Sequence, residues 1–245
     1  MMSFKKTLAA LAATAAMAAA QAAPVTVSGI TFDPDSVFDF TGTSAQIFQN
    51  TSSAGQLSGY GFITTINNTL QSTFAASGGE LTFTFSGFTP IASNGVVTSF
   101  TGGIFNVYFD ATGNASNGSN LTAATASNGT LWLSLVGTAN NATTLTGNIS
   151  GTANAPGSTL TGVGYLDVVG GAAASYLDTN SRMYGSDLSF SSSFTTYLGN
   201  NNYFGSANFN GDSRTPTNVP EPASLALVGL GLVGLAAARR KAAKK

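Results

Sequence analysis

The sequence predicts an all-β protein, an antiparallel β-sandwich or jelly roll, with a closed barrel or a short solenoid as rivals. Three observations predict it. Apolar and polar residues alternate in short runs, the period of a half-buried strand. Turn signals separate those runs. No segment between the two termini carries a long helical period with caps. The lack of a strict repeat weakens the solenoid. Uneven strand lengths, and faces of Ser and Thr with no apolar band, argue against an outer-membrane barrel.

The runs follow in chain order. "PVTVSGITF" (24–32) and "LSGYGFITTI" (57–66) open the series, and "NTLQSTFAAS" (68–77) suits one short helix. In "GELTFTFSGF" (79–88) Leu81, Phe83 and Phe85 alternate with Thr82, Thr84 and Ser86. "GGIFNVYFD" (102–110) sets Phe105, Val107 and Phe109 against Ile104, Asn106 and Tyr108. In "GTLWLSLVG" (129–137) Leu131, Leu133 and Leu135 share one face, and the single Trp132 falls on the other. "TTLTGNISGT", "STLTGVGYLDVV" and "SDLSFSSSF" supply three more strands. Ser77-Gly78-Gly79, Asn94-Gly95, Asn117-Gly118, Asn128-Gly129 and Ala155-Pro156-Gly157 punctuate them, offering positive φ at low cost. These elements form a body at 23–199. A polar, turn-rich segment at 200–218 reads as a spacer that begins with, at most, a last strand.

Composition removes several functions. The chain of 245 residues holds no histidine and no cysteine. Disulfide staples, Ser-His-Asp and Cys-His catalysis and ordinary zinc sites are therefore absent. Between the two targeting ends, over residues 23–218, nine acidic residues face only two basic ones, Arg182 and Arg214. Such a body has no electrostatic footprint for phosphate backbones, so nucleic acid is not expected as a partner.

The termini carry targeting signals. Lys5 and Lys6 precede an Ala/Leu run at 8–19, and Ala20-Gln21-Ala22 fits the small-x-small cleavage rule. Residues 1–22 thus read as a secretory signal helix, cut before Ala23 by signal peptidase. At the other end, Val219-Pro220-Glu221-Pro222 leads into an uncharged run at 223–238, closed by Arg239, Arg240, Lys241, Lys244 and Lys245. As a helix that run reaches about 24 Å, short of a typical hydrocarbon core of about 30 Å. Flanking residues can adapt a short span. The basic cluster stops transfer on the cytoplasmic side and places the body outside. The two prolines keep 219–222 extended and remove backbone donors.

Motif, apolar helix and basic stop in this order resemble the PEP-CTERM protein-sorting signal. The resemblance implies recognition by an exosortase, cleavage near Pro-Glu-Pro, and transient anchoring in the inner membrane before release to the cell surface or outside. More loosely, "LDVVGGAAASYLDTN" followed by "DLSFSSSF" resembles exported proteins of this kind that are associated with matrix or flocs. That likeness implies a structural, non-enzymatic role in a biofilm, floc or exopolysaccharide matrix. The alternatives are a carbohydrate-binding module that holds exopolysaccharide, and a secreted glycosidase.

Candidate chemistry in the body is sparse. Asp33, Asp35 and Asp39 lie close together and could form a loose calcium site. The EF-hand pattern fails, because its glycine and glutamate positions are Phe38 and Ser44. The bland alternative is a turn bent by Pro34. No other cofactor is expected. Asp167, Asp178 and Asp187 could pair for glycoside hydrolysis, or simply keep the surface soluble. Tyr60, Tyr108, Trp132, Tyr176, Tyr197 and Tyr203 could stack on sugars or fill the core.

Overall fold

The structure is a computed structural model that describes residues 24–34, 40–115, 120–152, 155, 157–196 and 202–214. All of these fall in one compact unit, Pro24–Arg214. The signal segment with Ala20, Ala22 and Ala23, the spacer beyond 214, the sorting motif 219–222, the apolar run 223–238 and the basic cluster lie outside the described residues, as do Asp35 and Asp39. Among the described residues no helix is long and apolar enough to cross a membrane.

Among the described residues thirteen strands are formed. They are β1 (Val25–Val27), β2 (Ile30–Phe32), β3 (Phe40–Thr51), β4 (Leu57–Phe62), β5 (Thr65–Ile66), β6 (Thr69–Leu70), β7 (Glu80–Ser93), β8 (Val97–Asp110), β9 (Thr130–Gly137), β10 (Leu145–Ser150), β11 (Thr159–Gly170), β12 (Leu188–Thr196) and β13 (Asn202–Gly211). Every pairing is antiparallel. From β3 the main sheet runs through β4, β7 and β8 to β11, β12 and β13, and β13 pairs back onto β3. Strands β9 and β10 both bridge β8 and β11, at different heights, so they act as one interrupted stave. The result is a closed up-and-down barrel of eight staves. It replaces the expected sandwich or jelly roll, because the first and last staves find each other and leave no free edge.

The closing ladder runs from Asn202 opposite Asn50 to Gly211 opposite Phe40, with a bulge between Gly205 and Ala207. Strand β13 therefore takes residues 202–211 out of the segment read as a spacer, and the body extends to 214. The candidate strand "PVTVSGITF" is a hairpin. Ser28 and Gly29 both adopt positive φ, 46° and 87°, as a two-residue turn matching strand twist requires.

The barrel is apolar inside and polar outside. Phe83, Phe85, Phe105, Leu133, Leu135, Leu166, Leu188, Phe190 and Phe209 are buried in the core. The alternate positions of β12 and β13 are mostly Ser, Thr and Asn. This is the reverse of a membrane-spanning barrel, whose outward band is apolar. Large and small side chains complement each other across strands. Phe83 lies opposite Gly61, Phe85 opposite Gly59 and Phe194 opposite Gly205. A Cβ on any of these glycines would overlap the facing ring or a backbone carbonyl oxygen.

The two ends differ. At one end the connections 52–56, 94–96 and 151–158 are short. At the other, the longer connections 63–79 and 171–187, the described residues 111–115 and 120–129, and the β1–β2 hairpin form a floor. Trp132 is its centre, 0% exposed, donating Nε1–H to the Val27 carbonyl at 3.0 Å. Phe32 meets Phe40, Trp132 and Tyr176 edge-on at 6.3, 6.3 and 6.2 Å. The ladder skips Trp132 between Leu131 and Leu133, and this bulge corrects the expected alternation. Trp132 turns inward with Leu133 and Leu135, while Leu131 is left 39% exposed. Phe48, Tyr60 and Phe62 form a separate apolar cluster with Ala115, Leu121 and Ala126 of the 111–129 connection.

Two substitutions test this architecture. Gly205→Ala would force a Cβ into the Ser193 carbonyl oxygen beside the closing ladder. It should cost about 1–3 kcal/mol. Trp132→Ala should cost about 3–5 kcal/mol, since it empties the floor and removes the bond to Val27. Urea unfolding followed by far-UV dichroism measures both.

Candidate functional site

The barrel interior is packed at the floor end and open toward the short turns. In the middle, Phe105 touches five phenylalanines: Phe85 at 5.1 Å, Phe190 at 5.3 Å, Phe209 at 5.7 Å, Phe88 at 5.8 Å and Phe83 at 6.0 Å. Above this layer, toward the short turns, the interior opens into a cavity of about 480 Å³. That volume lies within the ~300–1,000 Å³ range of small-molecule sites.

All eight staves contribute to the wall. Ile47 and Gln49 come from β3, Leu57 from β4, Phe85 and Phe88 from β7, Phe100 from β8, Leu145 and Ile149 from β10, Leu160 from β11, Phe194 from β12 and Tyr203 from β13. The hollow exists because two wall positions are glycines facing each other, Gly147 of β10 and Gly162 of β11. Next to Gly162 on β12 stands the small Ser192. Inward positions of β7, β8 and β12 carry Phe83, Phe85, Phe105 and Phe190 instead. At the rim, Pro90 sits under the β3–β4 turn, 3.0 Å from where a Cβ on Gly55 would be, and Gln56 Nε2 donates to Thr89 Oγ1 at 3.3 Å. Val96 also borders the opening and is 59% exposed.

The wall's electrostatics are simple. Among the described residues no charged side chain lines the cavity. Gln49 and Tyr203 are cross-strand neighbours on the closing ladder, 8% and 4% exposed, and both reach the cavity. Burial pushes the Tyr203 hydroxyl above the ordinary tyrosine value, so it stays neutral. On its other side Gln49 faces Gly59, which has no side chain to partner its amide. Sequence reasoning missed Gln49, since glutamine in a Ser/Asn-rich run carries no signal of its own.

The residues singled out from sequence fare differently. Trp132 is sealed in the floor and unavailable for stacking on a sugar. Tyr203 belongs to the cavity, and Tyr60 stacks on Phe48 at 5.4 Å. Tyr176 packs on Phe32, and Tyr197 lies outside the described residues. Of the calcium candidates only Asp33 is described. Among the described residues no group of three acidic side chains is arranged to hold a metal ion. Glu80 and Asp110 are buried opposite each other at the floor end. Glu80 Oε1 accepts the Ala115 amide at 2.7 Å, and Asp110 Oδ1 accepts the amide and hydroxyl of Thr112 at 2.8 and 2.7 Å.

Asp167, Asp178 and Asp187 do come near one another, at the floor end, and none lines the cavity. Asp187 is a structural carboxylate. It accepts the amides of Val168 and Thr179 at 2.7 Å and of Asn180 at 2.6 Å, tying the 171–187 connection to β11. The Asp167 carboxyl is raised above its ordinary value mainly by burial. The Thr138 hydroxyl beside it works the other way, and Asp187 and then Asp178 raise it further.

Two expectations follow. Asp187→Ala strands three amides and should cost on the order of 3 kcal/mol in urea unfolding. A carboxyl held above its unfolded value favours folding when protonated and opposes it once ionised. Asp167→Asn should therefore raise the melting temperature at pH 7, and the gain should vanish as pH falls below about 3.8.

Comparison of the chain with curated proteins and with solved structures finds no match. Residues 218–241 match the PEP-CTERM protein-sorting motif. The match spans Pro220-Glu221-Pro222, the apolar run and Arg239-Arg240-Lys241, and leaves the barrel outside it. The chain thus carries the sorting signal of an exported exosortase substrate.

Proposed function

We propose that this exported protein is a non-enzymatic binding protein of the cell surface or extracellular matrix, whose barrel holds one small, largely apolar molecule. The cavity walled by all eight staves carries this reading. An eight-stranded barrel is just wide enough either to fill with side chains or to hold one small ligand. Here the sequence places Gly147, Gly162 and Ser192 where bulk would fill it. The absence of histidine and cysteine from the chain, and of charge from the cavity wall, supports binding over catalysis. The matrix role rests on the sorting motif and on the Ser/Thr/Asn exterior.

A second reading keeps exopolysaccharide as the partner, on the outer surface. It rests on Tyr184, which is 51% exposed at φ 64° and packs edge-on against Tyr165 at 5.3 Å. Titration with the producing strain's polysaccharide, comparing wild type with Tyr184→Ala, tests it.

The cavity reading is tested with 1-aminoanthracene, whose emission rises in apolar surroundings. The purified body should bind it at one site. Gly162→Leu, which fills the hollow, should weaken binding at least tenfold while the protein stays folded. Absence of saturable binding to the wild type would overturn the reading. The sorting signal is tested separately. Replacing Pro220-Glu221-Pro222 by alanines should leave an unprocessed form in the membrane fraction, measured by intact mass.

A further inference from the structure

Within the cavity reading, we infer that the ligand is an uncharged hydrocarbon chain or ring bearing one hydrogen-bonding oxygen, such as an alcohol, amide or ester, and that Gln49 recognises that oxygen. This rests on the proposal that the cavity binds a small molecule, and it names the class.

Charge is excluded first. An ionised carboxylate or amine taken into this wall would lose its hydration and meet no counter-charge. The body's two cations are Arg182 and Arg214. Neither lines the cavity, and Arg182 pairs with Asp212 at 2.7 Å. Sugars fit less well. The lining's Thr51, Ser93, Thr98, Asn148 and Thr161 stand near the mouth-side ends of their strands. Deeper, a monosaccharide would bring hydroxyls against Leu57, Phe85, Phe100 and Phe194, and each hydroxyl left unpaired would weaken binding.

A pure hydrocarbon fits the phenylalanines but leaves Gln49 unexplained. Its side chain is more than nine-tenths buried and borders the hollow. Its amide atoms are not among the sealed, unpartnered polar atoms of the interior, so the amide faces the open hollow. A polar amide set into a stretch of wall formed by Ile47, Leu57 and Phe85 costs desolvation when an apolar ligand covers it, unless that ligand brings it a partner. An apolar residue here would pack against Ile47 and Tyr203 at no such penalty. The amide has both a donor and an acceptor, so it can serve a hydroxyl or a carbonyl oxygen equally. The exposed Val96 at the rim gives an apolar ligand its first contact on entry.

The test displaces 1-aminoanthracene with three ten-carbon probes, 1-decanol, decane and decanoate, at pH 8, on wild type and Gln49→Leu. Decanol should bind about tenfold tighter than decane and well above decanoate. Gln49→Leu should erase the decanol advantage and leave decane unchanged or tighter, and a melting curve confirms that the variant is folded. Should Gln49→Leu prove unfolded, Gln49→Met in the same assay serves instead. Equal binding of decanol and decane, an unaltered decanol affinity in the variant, or preference for decanoate would overturn the inference while leaving the cavity reading intact. Failure of the fluorophore itself to bind would overturn the cavity reading.

Discussion

The rest of the structure depends on one ladder, the pairing of β13 with β3. Without it the strands would form an open sheet with long unpaired edges, and the inward phenylalanines of β7, β8 and β12 would lack a facing wall. Closure gives every central strand two neighbours and makes an interior. It also creates the site, since Gln49 and Tyr203 become neighbours only when the ladder forms. The bulge at Gly205 and Ala207 gives local freedom to bend the strand at the closing seam. A chain without cysteine has no covalent staple for this seam, so backbone hydrogen bonds and Ile47, Ala207 and Phe209 hold it.

Volume is then distributed unevenly along the barrel. Near the floor, Trp132, Phe40, Leu81 and Leu133 leave no space, and Asp187 ties down the connection that helps seal that end. Near the mouth, the same inward positions carry Gly147, Gly162 and Ser192. Large rings on β7 are accommodated by Gly59 and Gly61 on β4, which sit beneath them. By contrast, Gly147 and Gly162 are met by the edge of Phe100 and by Ser192 and Leu145, and both border the hollow. Glycine thus serves two ends in one barrel: it admits a neighbour's ring on one side and leaves a void on the other. Close packing at native density is the rule in interiors, so a void produced by small residues at three adjacent staves points to an occupant.

Much of this was legible in the sequence, and what was not has a physical cause. Alternation in "LTFTF" and "IFNVYF" marked β7 and β8, because Phe and Thr differ sharply in polarity. Asn94-Gly95 marked its turn, where Asn94 Oδ1 accepts the amides of Val96 and Val97 at 3.0 and 2.7 Å. Strand β3 escaped notice, because its inward residues include Gly42, Ser44 and Gln49, which do not alternate in hydropathy. Strand β13 was obscured likewise by Gly205, Ala207 and Gly211. These are the two closing strands, so the barrel was read as an open pair of sheets. Trp132 was assigned to the wrong face since a bulge shifts the period by one, and periodicity alone cannot reveal a bulge.

The same weak patterning explains why the site lay hidden. A catalytic centre declares itself through His, Cys or spaced carboxylates, and this chain lacks the first two and uses Asp187 for structure. A hydrophobic cavity has no such vocabulary. Its defining residues are those that are small where a large one would fit, and that comparison requires knowing which strands face one another. Gly162 is unremarkable in "STLTGVGYLDVV" until it stands opposite Gly147 and beside Ser192. The fold therefore determines the site by subtraction, and Gln49 stands out once its neighbours in the deeper wall are seen to be Ile47, Leu57, Phe85 and Phe100.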